Sequence, residues 1–459
     1  MKDLNIVLGL GKTGWSVVRF LRQKQPLERC IVIDSREDAK LVYFNSLKHN
    51  YPEVTLLHQA SELDSDLWPK IKRVIVSPGV ASAAYWWREK LSSVNSDAAI
   101  ISDIQLFNDH ATHPVIAVTG SNGKSTVTTL AAKMLQAAGY NAVAGGNLGT
   151  PALDLLNKDA DCYVLELSSF QLELTSRLEA LAATVLNISP DHLDYHHTLA
   201  NYTQAKQRIF RHCKYAVINS DQPDSYKAAS FSAEVKFITF GQNGDFSVRE
   251  DGIYANNKLL IKASQLQLRG RHNLLNVATS YALISPLIKH LDDPKIKRVV
   301  EHFEGLEHRV ELVLRDQSGV EWINDSKGTN VGATLAAIEG LGAATLARGG
   351  KIVLLLGGLG KDADFSDLAG AINTYVKAVV LFGRDAVKIK QDLMDKIKTP
   401  MHLIDENNLQ AALDQAKALA VAGDAVLFSP ACASFDMFKN FEDRGQQFKA
   451  LVKNMIKSN

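Results

Sequence analysis

The chain has 459 residues, 46% of them hydrophobic and 22% charged, with 51 Lys and Arg against 50 Asp and Glu. That length is about three domains' worth of an ordinary globular protein. A formal net charge of +1 excludes a general electrostatic pull toward nucleic acid or an anionic membrane, so any phosphate binding has to be local.

Four scattered cysteines (Cys30, Cys162, Cys213 and Cys432) form no Cys-x-x-Cys pair and no metal-finger spacing, and they read as reduced thiols. The first residues run straight into a strand with no signal-like leader, which leads us to expect a cytoplasmic protein. Apolar runs such as Ile352 to Leu356 are too short to cross a bilayer.

Short β-like runs alternate with helical patterns, which predicts α/β domains with parallel sheets. The first unit opens with a strand over Asn5 to Leu8, then Gly9-Leu10-Gly11-Lys12-Thr13-Gly14 and a helix from Trp15. Asp34 follows the next strand, Cys30 to Ile33, about 20 residues on, which completes a dinucleotide fingerprint. Taken alone the fingerprint says NAD. A UDP-sugar presents the same pyrophosphate to the same loop, however, and a glycine turn without any ligand is a third reading. Ser77-Pro78-Gly79 ends a further β run, Val74 to Val76, at the same sheet edge.

The second unit begins with the most informative stretch, Val115 to Thr126. An apolar strand stops at Gly120, turns through Ser121 and Asn122, and restarts as a helix at Ser125. This is the layout of a loop that wraps phosphate oxygens in backbone N–H groups at a helix N-terminus. Lys124 would neutralise the outer phosphates, and the Ser125 or Thr126 hydroxyl would reach Mg²⁺. The spacing departs from the strict Walker pattern, because Val118 stands where the first glycine should be. An ordinary strand-to-helix turn is the bland alternative.

Cys162 to Glu166 reads as a strand ending in a carboxylate, which is costly unless a partner such as Mg²⁺ takes it or solvent reaches it. A β run over Thr184 to Leu186 leads into Asn187-Ile188-Ser189-Pro190-Asp191-His192-Leu193-Asp194, with an imidazole between two carboxylates. Lys206, among Tyr202, Ala205 and Ile209, reads simply as a helix lysine. Short runs over Val235 to Phe240, Phe246 to Arg249 and Gly252 to Tyr254, with turns at Asn243-Gly244 and Asp251-Gly252, predict a small extra sheet on this unit.

The third unit has strands at Lys351 to Leu356, Ala378 to Phe382 and Ala425 to Phe428. Its polar clusters are Gly305 to Arg309, Ile323 to Asn330, Gly357 to Lys361 and Ser429 to Ser434. Each has a bland reading as turn chemistry; together they form a candidate anion-binding rim. Boundaries are expected near residues 102 and 305, giving domains 1–102, 103–305 and 306–459.

Several of these segments, in this order, resemble the Mur ligases, the ATP-dependent amide-forming enzymes of peptidoglycan precursor synthesis. They are Thr119 to Thr126, Gly145-Gly146-Asn147, Glu166 to Phe170, Asn187 to Asp194, His308-Arg309 and Asn324 to Lys327. Within the family, Ser429 to Asp436 and Asn440 to Gly445 look most like the D-glutamate-adding branch, and the Asp-Asn-Pro-Arg motif of the diaminopimelate-adding branch is absent.

The resemblance implies a fold of three parts: a Rossmann-like UDP-binding unit, a central phosphate-loop ATPase-like domain and a Rossmann-like C-terminal domain. It implies ATP-dependent addition of D-glutamate to UDP-N-acetylmuramoyl-L-alanine through an acyl phosphate, by a protein expected to be a monomer. UDP-sugar binding would fall to Leu10, Lys12, Thr13, Asp34, Ser35, Arg36, Gly79, Asn147 and His192. Lys12 stands where the family pattern leads us to expect an apolar residue. ATP would be held by Gly120, Ser121, Asn122, Gly123, Lys124, Ser125 and Thr126, with Asn276, Arg309 and Asp325. Metal sites, two for Mg²⁺, would draw on Ser125, Thr126, Glu166, His192 and Lys206.

Lys206 matches the lysine that the family carbamylates, and it joins Lys124 and His192 as the catalytic set. Thr329, Lys361, Ser434 and Phe441 match the D-glutamate pocket, although Leu359 replaces an expected acidic residue beside it. Competing readings are another ligase of the same superfamily, adding a different amino acid or adding glutamate to folate, an NAD-dependent oxidoreductase and a nucleotide-gated binding protein. The folate ligase should lack the first unit; the oxidoreductase leaves Lys124, Glu166 and His192 unexplained; the binding protein needs no amino-acid rim.

Overall fold

The computed structural model describes residues 3–37, 42–268, 270–360, 363–404 and 408–457. Three sheets account for the strands of the described chain. The first contains β1 (Leu4–Leu8), β2 (Arg29–Ile33), β3 (Thr55–Leu57), β4 (Ile71–Val76) and β5 (Ala99–Ile101), in the order β3-β2-β1-β4-β5. All its pairings are parallel. Every residue of β1 is buried, as a central parallel strand covered on both faces requires. Helix α1 (Lys12–Lys24) starts directly after the glycine turn. A Cβ on Gly14 would lie 1.8 Å from the Gly9 carbonyl oxygen, so only glycine lets the helix approach the strand this closely.

The central sheet has nine strands. These are β6 (Val115–Thr119), β7 (Ala142–Gly146), β8 (Cys162–Glu166), β9 (Ala182–Val185), β10 (Tyr215–Asn219), β11 (Lys236–Gly241), β12 (Phe246–Val248), β13 (Gly252–Ala255) and β14 (Lys258–Lys262). Their order is β14-β13-β12-β11-β10-β9-β6-β8-β7. The strands expected as a small extra sheet therefore extend the central one, because β11 pairs in parallel with the edge of β10 from Tyr215 to Asn219. Helix α2 (Lys124–Ala137) follows the phosphate loop.

The third sheet joins β15 (Glu311–Arg315), β16 (Glu321–Asn324), β17 (Ile352–Gly357), β18 (Val376–Phe382), β19 (Met401–Leu403) and β20 (Ala425–Phe428). Its order is β15-β16-β20-β17-β18-β19, parallel except for the β15–β16 pair. Alternate residues of β17 serve two cores. Leu354 and Leu356 pack with Ile338 and Ile372, while Val353 and Leu355 pack with Phe428 and Phe448 on the other face. Each such side chain contributes roughly 1.5–3 kcal/mol on burial, so this sheet is fastened from both sides.

By internal packing the chain forms two compact units. The first runs to Ile188 and adds Thr203–Ile261 and Val277–Val300; the second combines Ser189–Tyr202, Lys262–Asn276 and everything from Glu301 onward. The four cysteines are all free and buried. Among the described residues no helix is long and apolar enough to cross a membrane.

Candidate active site

In the first unit, β6 delivers its C-terminal end to the phosphate loop. Val118 is a fully buried strand residue, so the position of the missing Walker glycine belongs to the sheet and needs no glycine. Gly123, at φ 83°, turns the chain into α2. Lys124 folds back over the loop, its Nζ donating to the carbonyls of Gly120 at 2.8 Å and Ser121 at 2.9 Å.

Glu166 sits at the end of β8, 3% exposed. Its Oε2 accepts from the Ser125 hydroxyl at 2.6 Å and its Oε1 from Asn147 Nδ2 at 2.8 Å. Thr126 is buried beside Ser125 in the first turn of α2.

Lys206 is 2% exposed, which a helix lysine achieves only when its ammonium finds a partner. Its Nζ donates to the Gly120 carbonyl at 3.0 Å. Two lysine head groups thus converge on one backbone oxygen. Among the described residues no three His, Cys, Asp or Glu side chains gather as a metal cluster. A single carboxylate beside hydroxyl groups and a phosphate loop is nevertheless the oxygen-donor set that suits Mg²⁺, which takes its remaining ligands from phosphate and water.

The first glycine turn is organised by Asp34, 6% exposed. Its Oδ2 accepts the Leu10 amide at 2.7 Å and Arg36 Nη2 at 2.6 Å, and its Oδ1 accepts the Arg36 amide at 3.1 Å and Nε at 2.9 Å. Burial alone would raise this carboxyl, but the Arg36 guanidinium and the two amides outweigh it and hold the group below the usual value. Leu10 is buried, whereas Lys12, Ser35, Arg36 and Gly79 are exposed and Thr13 is half-buried. Lys12 therefore stands in solvent at the start of α1.

In the second unit, Asp191 caps its own loop by accepting the His192 amide at 2.9 Å, and His192 Nε2 lies 3.7 Å from Asp191 Oδ2. Asn330 Nδ2 donates to Asp191 at 3.1 Å while its Oδ1 caps helix α3 (Val331–Ala347). The imidazole loop is thereby tied to the segment carrying Thr329.

Arg309 lies between two residues in left-handed backbone, His308 at φ 64° and Val310 at φ 49°. For a β-branched residue such a conformation is strained, and such strain concentrates at functional sites. The Val310 amide is received by Asp325 Oδ1 at 3.2 Å, and Ser429 Oγ donates to Asp325 Oδ2 at 2.6 Å. Burial pushes the Asp325 carboxyl up to about 7 despite Ser429 and the nearby Arg309 charge. Asn276 is 9% exposed and donates to Asn273 Oδ1 at 3.2 Å.

The amino-acid rim converges on Arg444, 1% exposed. Its guanidinium donates to Ser326 Oγ at 3.0 Å, the Ser326 carbonyl at 2.7 Å and the Cys432 carbonyl at 3.0 Å. Ser326 Oγ in turn donates to the Phe441 carbonyl at 2.9 Å, and Lys327 Nζ lies 3.6 Å from the centre of the Phe441 ring. Phe441 is half-buried and Ser434 is 2% exposed. Leu359 pairs through its backbone with Ala433 in both directions at 2.9 Å, so its departure from the family pattern leaves the main-chain bridge intact. Lys361 lies outside the described residues.

No sequence signal assigns Arg444 a role, and without the resemblance Lys206 reads simply as a helix lysine. For Lys206 a signal was present: Tyr202 and Ile209 share its helical face, and both are buried.

Three family models match the chain in successive stretches. Family models match residues 3–92 (Mur ligase MurD-like, N-terminal domain), 118–284 (Mur ligase middle domain) and 308–432 (Mur ligase, glutamate ligase domain). The chain is 45% identical over 458 residues, 98% of either sequence, to the UDP-N-acetylmuramoylalanine–D-glutamate ligase of Marinobacter nauticus. It is 44% identical over 456 residues, 97% of either, to the protein of the same name from Pseudomonas syringae pv. tomato. A solved pseudomurein peptide ligase type C from Methanothermus fervidus shares the fold, with a TM-score of 0.61 at 16% identity over 99% of this chain and 100% of that one.

Proposed function

The chain belongs to the Mur ligase family, and from that premise we propose that it joins D-glutamate to UDP-N-acetylmuramoyl-L-alanine at the expense of ATP. The observation that carries the reading is the joint presence of the Lys124 loop, with Glu166 beside it, and the rim clipped by Arg444. The strong likeness to the two D-glutamate ligases, over nearly their whole length, supports the choice of amino acid.

The three sheets support domain boundaries at 102/103 and 305/306, since one sheet ends and the next begins on either side of each. We assign the UDP-sugar to the Asp34 turn of the first domain, with Leu10, Lys12, Thr13, Ser35, Arg36 and Gly79, and with Asn147 and His192 toward its reacting end. ATP is assigned to residues 120–126 with Asn276, Arg309 and Asp325. D-glutamate is assigned to Thr329, Lys361, Ser434 and Phe441.

A carboxylate oxygen of the sugar substrate attacks the γ-phosphorus, and the bond to the β–γ bridging oxygen breaks as ADP leaves. Lys124 and the loop amides hold the phosphates in line for that displacement, which is chiefly a matter of positioning and charge. The amine of D-glutamate then attacks the acyl carbon. A C–N bond forms, the C–O bond to phosphate breaks, and the ammonium proton is lost. Glu166, Ser125, Thr126 and His192 would hold Mg²⁺, which supplies charge neutralisation for the transferring phosphoryl group.

Carbamylation of Lys206 fits the electrostatics of the loop. Two ammonium groups on the Gly120 carbonyl repel one another, and converting Lys206 to a carbamate replaces that repulsion with attraction to Lys124. We further propose that the enzyme acts as a cytoplasmic monomer, its oligomeric state to be read by light scattering.

The test is phosphate release from ATP with Mg²⁺ and UDP-N-acetylmuramoyl-L-alanine, offering D-glutamate, L-glutamate, L-alanine and diaminopimelate separately. Release with D-glutamate alone is expected. Release with another amino acid would overturn the C-terminal assignment, and no release from folded protein that binds ATP would overturn the substrate.

A further inference from the structure

The main-chain pairing of β6 with β9 continues past the ends of both strands. The Leu186 amide donates to the Thr119 carbonyl at 2.9 Å, and the Ser121 amide donates to the Asn187 carbonyl at 2.9 Å. Asn187 then adds its side chain. Its Oδ1 accepts the Asn122 amide at 2.8 Å and its Nδ2 donates to the Asn122 carbonyl at 3.1 Å. One carboxamide thus engages both polar groups of the loop's central residue, much as a third strand would.

Asn187 is itself held from behind. Asn219 Nδ2 donates to the Leu186 carbonyl at 2.8 Å. Gln222 accepts the Ile188 amide at 2.9 Å and returns a bond to the Ile188 carbonyl at 2.8 Å. Asn219 closes β10 and Gln222 lies in the turn after it. Three amide side chains therefore transmit the rigidity of the sheet to residues 121 and 122. None of the three received a role from the motif, the resemblance or the domain assignments above.

We propose that Asn187 is a positioning residue for phosphoryl transfer: it fixes the 120–123 turn in its nucleotide-binding shape before ATP arrives, with Gln222 and Asn219 as its supports. The proposal rests on the assignment of ATP to this loop. A turn whose central residue lacked these two bonds would lose more conformational freedom on binding, and pre-organisation removes that cost. Because the Asn122 amide is committed to Asn187, its N–H belongs to the scaffold of the loop.

The experiment compares wild type, Asn187→Leu, which keeps the branched outline and removes both bonds, and Asn187→Asp, which keeps the acceptor alone. Loss of both bonds is expected to weaken nucleotide binding about 10-fold. Asn187→Leu is expected to raise the Kd for ADP and the KM for ATP by that factor, with UDP-sugar binding unchanged. Asn187→Asp should fall between the two. Hydrogen exchange without nucleotide should speed up at amides 120–124 in Asn187→Leu before it does so elsewhere.

ADP affinity and exchange both like wild type would overturn the proposal, as would a uniform rise in KM for all three substrates. If wild type itself fails to bind ADP, the ATP assignment fails, while the exchange comparison still judges the clamp. Should Asn187→Leu not fold, Gln222→Ala removes the support one step out and carries the same measurements.

Discussion

A Cβ on Gly445 would lie 2.2 Å from Nδ1 of His308. Gly445 sits in the first turns of the helix Phe441–Lys457, where alanine ordinarily stabilises by about 1 kcal/mol. The His308 ring cannot simply swing away, because Nδ1 is 2.8 Å from Asn324 Nδ2 in a buried contact. Gly445→Ala is therefore expected to destabilise the protein by about 1–3 kcal/mol, reversing the usual sign. Denaturant unfolding reads the difference, and a stabilised variant would contradict the packing described.

Arg444 spans three acceptors on two loops and leads to a second expectation. Lysine keeps the charge but loses the planar fork, leaving buried carbonyls unsatisfied at about 1–3 kcal/mol each. Arg444→Lys should raise the KM for D-glutamate about 10-fold, with a much smaller change in the KM for ATP. Equal changes in both would mean that Arg444 supports the unit generally and not the rim.

The carbamylation proposed for Lys206 would make activity depend on dissolved CO₂. Enzyme diluted into CO₂-free buffer should lose activity and regain it with bicarbonate. Lys206→Ala should be inactive at any bicarbonate concentration and partly restored by a short carboxylic acid that fills the vacated space. Activity indifferent to bicarbonate would leave Lys206 as an ammonium.

Asp103 carries a pH expectation. It is 1% exposed, and Gln171 Nε2 donates to its Oδ1 at 3.1 Å. Burial raises the carboxyl from 3.8 to about 6, with Gln171 opposing. The folded state therefore holds the proton more tightly than the unfolded chain. The stabilisation from this group is complete below the unfolded value and is lost as pH rises through about 6. Asp103→Asn should gain stability relative to wild type between pH 4 and pH 7, by on the order of 2–3 kcal/mol at the upper end. Melting curves across that range read it, and a difference that does not change with pH would refute the assignment.

Much of this was legible because it depends on local chemistry. The apolar run into Gly120-Ser121-Asn122-Gly123-Lys124 specifies a strand, a turn and a helix without reference to the rest of the chain. The same holds for Gly9 to Gly14. What escaped depends on distant partners. The burial of Arg444 follows from carbonyls at Ser326 and Cys432, more than a hundred and about a dozen residues away, and residue type argues against it.

The strand Lys258–Lys262 was missed for a local reason. Asn256 and Asn257, at φ 48° and 67°, form the turn that precedes it, and paired asparagines suit a turn with two left-handed residues. Merging of the extra strands with the central sheet needed the exposed edge of β10, which no single segment reveals.

The four buried thiols have a practical use. Burial pushes Cys30, Cys162 and Cys213 up to about 12, so an alkylating reagent reaches none of them while the surrounding structure stays shut. Cys30 reports on β2, Cys162 on β8 and Cys213 on the segment before β10, while Cys432 lies in the rim clipped by Arg444. The order in which they become labelled is a native clock for where the molecule breathes, available without adding a single probe.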